Sequence, residues 1–152
     1  MMARLSALLE GLKDTKEYVL EIKEHRKHRS LSANSYYWVL LEKISQVLGS
    51  TKEEIHEQML QDYGTLDTTE EGEIMDFSSR YLINPLEAGV HCKYRGSSQL
   101  NGVTWYHYYL IKGSSRYDSR EFSVLVNGAV QEAKDLDIET LTPEELARLR
   151  YE

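Results

Sequence analysis

The stretch Val90–Lys112, VHCKYRGSSQLNGVTWYHYYLIK, decides the fold. Successive side chains of an extended chain point to opposite faces, so in residues 103–112 Trp105, His107, Tyr109 and Ile111 share one face, and Tyr106, Tyr108 and Leu110 the other. Asn101-Gly102 supplies the two residues that best accept the left-handed backbone of a tight hairpin turn. The expected partner strand is Val90–Tyr94, joined through RGSSQLNG.

Working outward, Gly113-Ser114-Ser115 ends the aromatic strand. Asp118 or Ser119 then caps a helix to about Leu136, with Phe122, Leu125, Val126, Ala129, Val130 and Ala133 inward. Thr142-Pro143-Glu144-Glu145 opens a last short helix, with Pro at its first position and Glu145 in the capping-box slot. On the other side, Asn34–Leu48 reads as a helix with Tyr37, Leu40, Leu41, Ile44, Val47 and Leu48 buried, stopped by Gly49. Ser50 or Thr51 caps a second helix, Lys52 to about Tyr63, with Glu53 or Glu54 closing a capping box and Gly64 at its end. Residues 3–12 carry a leucine stripe at helical spacing, and residues 17–23 alternate like a half-buried strand. Residues 24–32 are basic and lack apolar periodicity. Residues 64–90 hold only short apolar islands, Ile74–Phe77 and Tyr81–Ile83, punctuated by Pro85 and Gly89, and suggest a strand or an irregular excursion. Few strands and no regular βαβ alternation predict an α+β fold: one domain over residues 1–152, a small antiparallel sheet packed with about five helices.

An apolar fraction of 41% suffices for one core, and no run approaches the roughly 20 apolar residues of a membrane-spanning helix. The amphipathic start MMARLSALLEGLK lacks the basic-then-apolar order of a secretory signal. Cys92 is the lone cysteine, which excludes an internal disulfide and a thiolate zinc site. A cytoplasmic protein is expected. Its net charge of −7 is unevenly spread: residues 53–76 hold nine carboxylates and no Lys or Arg, which leaves +2 for the rest. Residues 23–29 are net +3 and residues 80–120 net +4. Such segregation can steer an anionic partner although the total is negative, or can merely be two solvated faces.

The five histidines (25, 28, 56, 91 and 107) form no metal-ligand motif, and no metal, cofactor or catalytic residue is expected. His107, among aromatic neighbours, reads as a hydrogen-bonded structural histidine. Ser114-Ser115 lies between a strand and a helix but lacks the glycine pattern of a nucleophile elbow. Backbone N–H groups and hydroxyls there could hold a phosphate flanked by Arg116 and Arg120, or the serines could be plain turn residues. The most informative constellation is a basic loop entering an aromatic helix: Arg26, Lys27, Arg29, Ser30, then Asn34, Tyr36 and Trp38. Cations beside rings on which bases stack are what sequence-tolerant single-strand binding requires. Tyr37 falls on the apolar stripe and is assigned to the core; Tyr36 is expected to be the exposed ring, and Trp38 fits either role.

Arg29-Ser30-Leu31-Ser32-Ala33-Asn34, followed by Trp38, Leu41 and Ile44, resembles the RSLxxN…W…L signature of the NinB family of phage recombination proteins. The segment from Gly113 through Phe122, its long helix and Ile138-Glu139-Thr140-Leu141 is similar to a second block of that family. The two blocks span residues 17–48 and 113–146, a little under half the chain. The resemblance implies a homodimeric recombination mediator of phage or prophage origin that works in the bacterial cytoplasm without turnover. Such a protein binds single-stranded DNA, contacts the host single-strand binding protein and helps load a recombinase. Arg29, Ser30, Asn34, Trp38, Ser114, Ser115 and Arg116 are the positions to which the family pattern carries over. Two other functions remain open. A metal-dependent endonuclease would need Glu42, Asp76 or Asp118 to converge on Mg²⁺. A protein-interaction module would receive an acidic tail, such as that of the host single-strand binding protein, in the basic groove.

Overall fold

The structure is a computed structural model that describes residues 10–11, 16–19 and 31–149. The expected basic loop, most of the strand at 17–23 and most of the helix at 3–12 lie outside these residues. Where the strand expectation can be checked, residues 17–19 form no strand.

Five α-helices and a three-stranded antiparallel sheet make up the described chain, an α+β arrangement. In order they are α1 (Leu31–Leu48), α2 (Lys52–Tyr63), β1 (Asp76–Ser79), α3 (Pro85–Ala88), β2 (Cys92–Leu100), β3 (Val103–Leu110), α4 (Ser119–Asp135) and α5 (Pro143–Leu149). A 3₁₀ turn, Ser114–Arg116, links β3 to α4.

The helices form where capping and periodicity agree. Thr51 and Glu54 close a capping box on α2; Asp118 and Glu121 do the same on α4, and Thr142 and Glu145 on α5. The Thr142 bonds hold the Glu145 carboxyl below its usual range. Gly49, at φ +67°, ends α1, and the Ser50 N–H returns to the Ser45 carbonyl. One cluster unites α1, α2 and α4: Tyr37, Leu40, Leu41 and Ile44 with Ile55, Met59 and Leu60, all against Phe122, Leu125, Val126, Ala129 and Ala133. Tyr63 packs over α4 at Gly128, where an added Cβ would lie only 2.4 Å from the ring. Val47 and Leu48, expected inside, are more than half exposed, because the last turn of α1 runs past this cluster.

The sheet is ordered β1-β3-β2, with aromatic β3 in the middle. Asn101 and Gly102 turn the hairpin with φ of +51° and +74°, as their sequence predicts. Strand β2 is longer than expected. Most of RGSSQL belongs to the ladder, with a bulge between Tyr94 and Gly96. The obscure segment after Gly64 is tied to β3 by its backbone: Asp67 N–H to Leu110 O, Leu110 N–H to Met75 O and Lys112 N–H to Thr65 O. Contacts run mainly helix to helix and strand to strand, so the sheet projects from the helical layer and is anchored at the foot of β2 and β3. Among the described residues, no helix is long and apolar enough to cross a membrane.

Candidate nucleic-acid interface

The two sequence blocks meet in space at His56. Burial pushes the Tyr37 phenol far above its usual range, helped by neighbouring Tyr117, so its hydroxyl stays protonated beside His56 Nδ1 at 2.8 Å. The Trp38 indole lies 4.8 Å from the same imidazole, and Ser114 Oγ is 3.4 Å from its Nε2. Trp38 from α1 and Ser114 from the 3₁₀ turn are thus drawn to one ring of α2. A second imidazole, His91, is centred 6.2 Å from His56 and holds the buried Glu57 carboxylate at 2.7 Å.

The other expected contacts are distributed differently. Arg26, Lys27, Arg29 and Ser30 lie outside the described residues. Asn34 is half-buried in α1, while Ser115 and Arg120 are exposed. Tyr36 is not the exposed ring expected: it packs against the core, and its hydroxyl accepts the Leu141 N–H at 2.9 Å. Arg116 is bound to Asp67 at 2.6 Å. The phosphate seat at the start of α4 is disfavoured, because the Asp118 carboxylate already accepts the Glu121 N–H there and the Glu121 carboxylate returns to the Asp118 N–H. The charge segregation of the sequence also folds back on itself, with Asp67 on Arg116 and Asp76 on Arg95.

One face of the sheet gathers cations and rings that the sequence reading had not joined. Trp105, His107 and Tyr109 alternate along β3; Lys93 stands opposite Tyr109, and Ser98 opposite Trp105. Arg95, displaced by the bulge, sits over the Tyr109 ring at 4.9 Å and pairs with Asp76. His107 is fixed between two strands, with Ser78 on Nδ1 at 2.7 Å and Ser98 on Nε2 at 2.8 Å. That is the structural role expected of it. At the foot of this face a cleft of about 350 Å³ opens between Leu60, Gln61 and Leu66 on one side and Lys93, Arg95 and Tyr109 on the other. Lys93 reaches across to the Gln61 carbonyl at 2.9 Å. The period-2 aromatic pattern of β3 was the available signal for this surface; the bulge at Arg95 leaves no such signal in the sequence.

Among the described residues, no group of three His, Cys, Asp or Glu is placed to hold a metal ion. The carboxylates considered for a nuclease are engaged separately: Glu42 with Gln46 and Lys52, Asp76 with Arg95, and Asp118 as a helix cap. No protein-family model, curated protein or solved structure matches this chain. Its class therefore rests on its own coordinates: an α+β protein whose three-stranded sheet carries a ring-and-cation face.

Proposed function

We propose that the chain is a single-stranded-DNA-binding accessory protein of phage or prophage recombination, acting without turnover. The observation that carries this reading is the sheet face on which Lys93 and Arg95 meet the Tyr109 ring and Trp105 lies further along the same strand, opposite Ser98. Rings supply stacking that tolerates any base, and cations follow the backbone. The cleft beneath Lys93 and Arg95 adds a recess beside that track. The resemblance of residues 17–48 and 113–146 to the NinB family supplies the recombination context. With it come the proposed homodimer, the host single-strand binding protein as partner and the bacterial cytoplasm as setting. The meeting of Trp38 and Ser114 at His56 supports treating these two blocks as one unit.

The ion pair of Arg95 with Asp76 sets a condition on this binding. A phosphate must compete with a carboxylate already in place, so affinity from this face alone is modest and salt-sensitive. Anisotropy titrations with labelled oligo-dT, duplex and junction DNA at two salt concentrations test the proposal. Single-stranded DNA is expected to bind most tightly, and its binding is expected to weaken in Lys93→Ala and Arg95→Ala. Equal binding of duplex, or affinity indifferent to both changes, contradicts the assignment.

A further inference from the structure

The opposite face of the sheet has a different chemistry. There Tyr108 stacks on Phe77 at 5.3 Å and meets Tyr94 at 5.6 Å, and a second cleft of about 350 Å³ lies between this face and α2. One wall is apolar, made by Ile83, Pro85, Leu86 and Tyr94. The other wall is the α2 stripe Glu54, Glu57, Gln58 and Gln61, residues that a helix places on one side.

The apolar wall is held in place although it is uncovered. The Ile83 N–H donates to the Tyr108 hydroxyl at 2.9 Å, and Asn84 caps α3 through the Leu86 N–H at 3.1 Å. Gln61 Nε2 donates to both the Glu57 carboxylate and the Cys92 carbonyl, which pins α2 to the foot of β2. Yet Leu86 is 45% exposed and Tyr94 50%, and Tyr81 and Leu82, just before the wall, reach 76% and 69%. Apolar side chains concentrated around a preformed recess mark an interaction surface more often than isolated exposed ones do.

Charge specifies the occupant. The lining carries two carboxylates and no Lys or Arg. Glu54 is exposed and accepts the Thr51 N–H of its capping box, whereas Glu57 is buried with its oxygens bonded to His91 and Gln61. Glu53 and Glu87 stand exposed on the two elements that form the cleft. Of the nearby cations, Lys93 and Arg95 serve the other face of the sheet and Lys52 pairs with Glu42, while Arg80 stands exposed beside Tyr81.

We propose that this cleft docks a segment of a partner protein that inserts an apolar side chain between Leu86 and Tyr94 and sets a neighbouring Lys or Arg against the exposed Glu54 carboxylate of α2. The site is separate from the ring-and-cation face and does not depend on nucleic-acid binding. Its partner is basic and apolar, opposite in charge to an acidic tail.

The probe is a fluorescein-labelled hexapeptide, Gly-Arg-Leu-Phe-Arg-Gly, with Gly-Glu-Leu-Phe-Glu-Gly as its counterpart. Anisotropy gives affinity, and amide chemical-shift mapping on the full chain gives location. The arginine peptide is expected to shift residues 83–86 and Gln58, while the glutamate peptide binds at least tenfold more weakly. Gln58 lies on the cleft wall and is exposed. Gln58→Arg should weaken the arginine peptide roughly fourfold and Gln58→Glu should strengthen it by a similar factor. Leu86→Asp, at a position 45% exposed, should abolish binding while leaving the thermal midpoint near that of the parent. Several results would overturn the proposal: no binding at millimolar peptide, equal binding of the acidic peptide, shifts confined to other surfaces, or indifference to both Gln58 changes. So would a dimer that Leu86→Asp converts to monomer, which would make the cleft an interface between copies.

Discussion

The two faces of the three-stranded sheet share a backbone and differ in almost everything else. On one, Trp105, His107 and Tyr109 alternate with the cations Lys93 and Arg95 nearby; on the other, Tyr94, Tyr108 and Phe77 border a recess whose far wall is acidic. A period of two lets ten residues of β3 with its turn write both surfaces at once. Arg95, the extra residue of the bulge between Tyr94 and Gly96, follows Lys93 on this face by the same alternation and sits over the Tyr109 ring. The lesson is that a net charge of −7 describes neither face.

Changes confined to one face sharpen this contrast, and leakage between faces breaks it. The largest effect is expected from Trp105→Ala: loss of one stacking platform should raise the Kd for oligo-dT roughly 5- to 150-fold. Binding of the arginine hexapeptide should not move, and a parallel loss of both ligands would show that the two faces do not act independently. Next, Asp76→Asn releases Arg95 from its carboxylate and should tighten single-strand binding roughly two- to fivefold, the scale of an exposed ion pair. Weaker binding in that variant would mean that Asp76 positions Arg95 for the ligand and does not compete with it. Lys93→Ala should reduce the slope of log affinity against log salt by about 0.7, the contribution of one phosphate contact in a single strand; an unaltered slope would remove Lys93 from the track.

The helical layer supplies a pH prediction. Burial pushes the Tyr37, Tyr63 and Tyr117 phenols above their ordinary value in the folded state. An acid with a raised folded value releases its proton first from the unfolded chain. Its stabilising contribution is therefore complete below the unfolded value of about 10 and is lost as pH rises beyond it. Denaturant midpoints should hold up to about pH 10 and then fall; a midpoint flat to higher pH would contradict the burial of these rings.

Much of the helical layer was legible because its signals are local. Thr51 with Glu54, Asp118 with Glu121 and Gly49 act within one turn of the backbone they cap, and the α4 stripe from Phe122 to Ala133 repeats at helical spacing. The hairpin turn was legible for the same reason. Residues 64–90 were not, because the residues after Gly64 are placed by long-range backbone bonds to β3, which leave no periodic trace. The outer half of β2 was missed because Gly96, Ser97, Ser98 and Gln99 have little preference for a strand; β3 supplies the ladder that holds them. Site residues divide similarly. The sequence identified Tyr37 as core, but it could not reveal that Asp67 would take Arg116 from 49 positions away, or that Leu141 would claim the Tyr36 hydroxyl.

The most direct test uses the fact that the chain has two tryptophans, Trp38 and Trp105. In the Trp38→Phe protein all tryptophan emission comes from the sheet face, and titration with unlabelled oligo-dT should quench it saturably as bases stack on the indole. No quenching there, with quenching retained in Trp105→Phe, would contradict the placement of single-stranded DNA on this face.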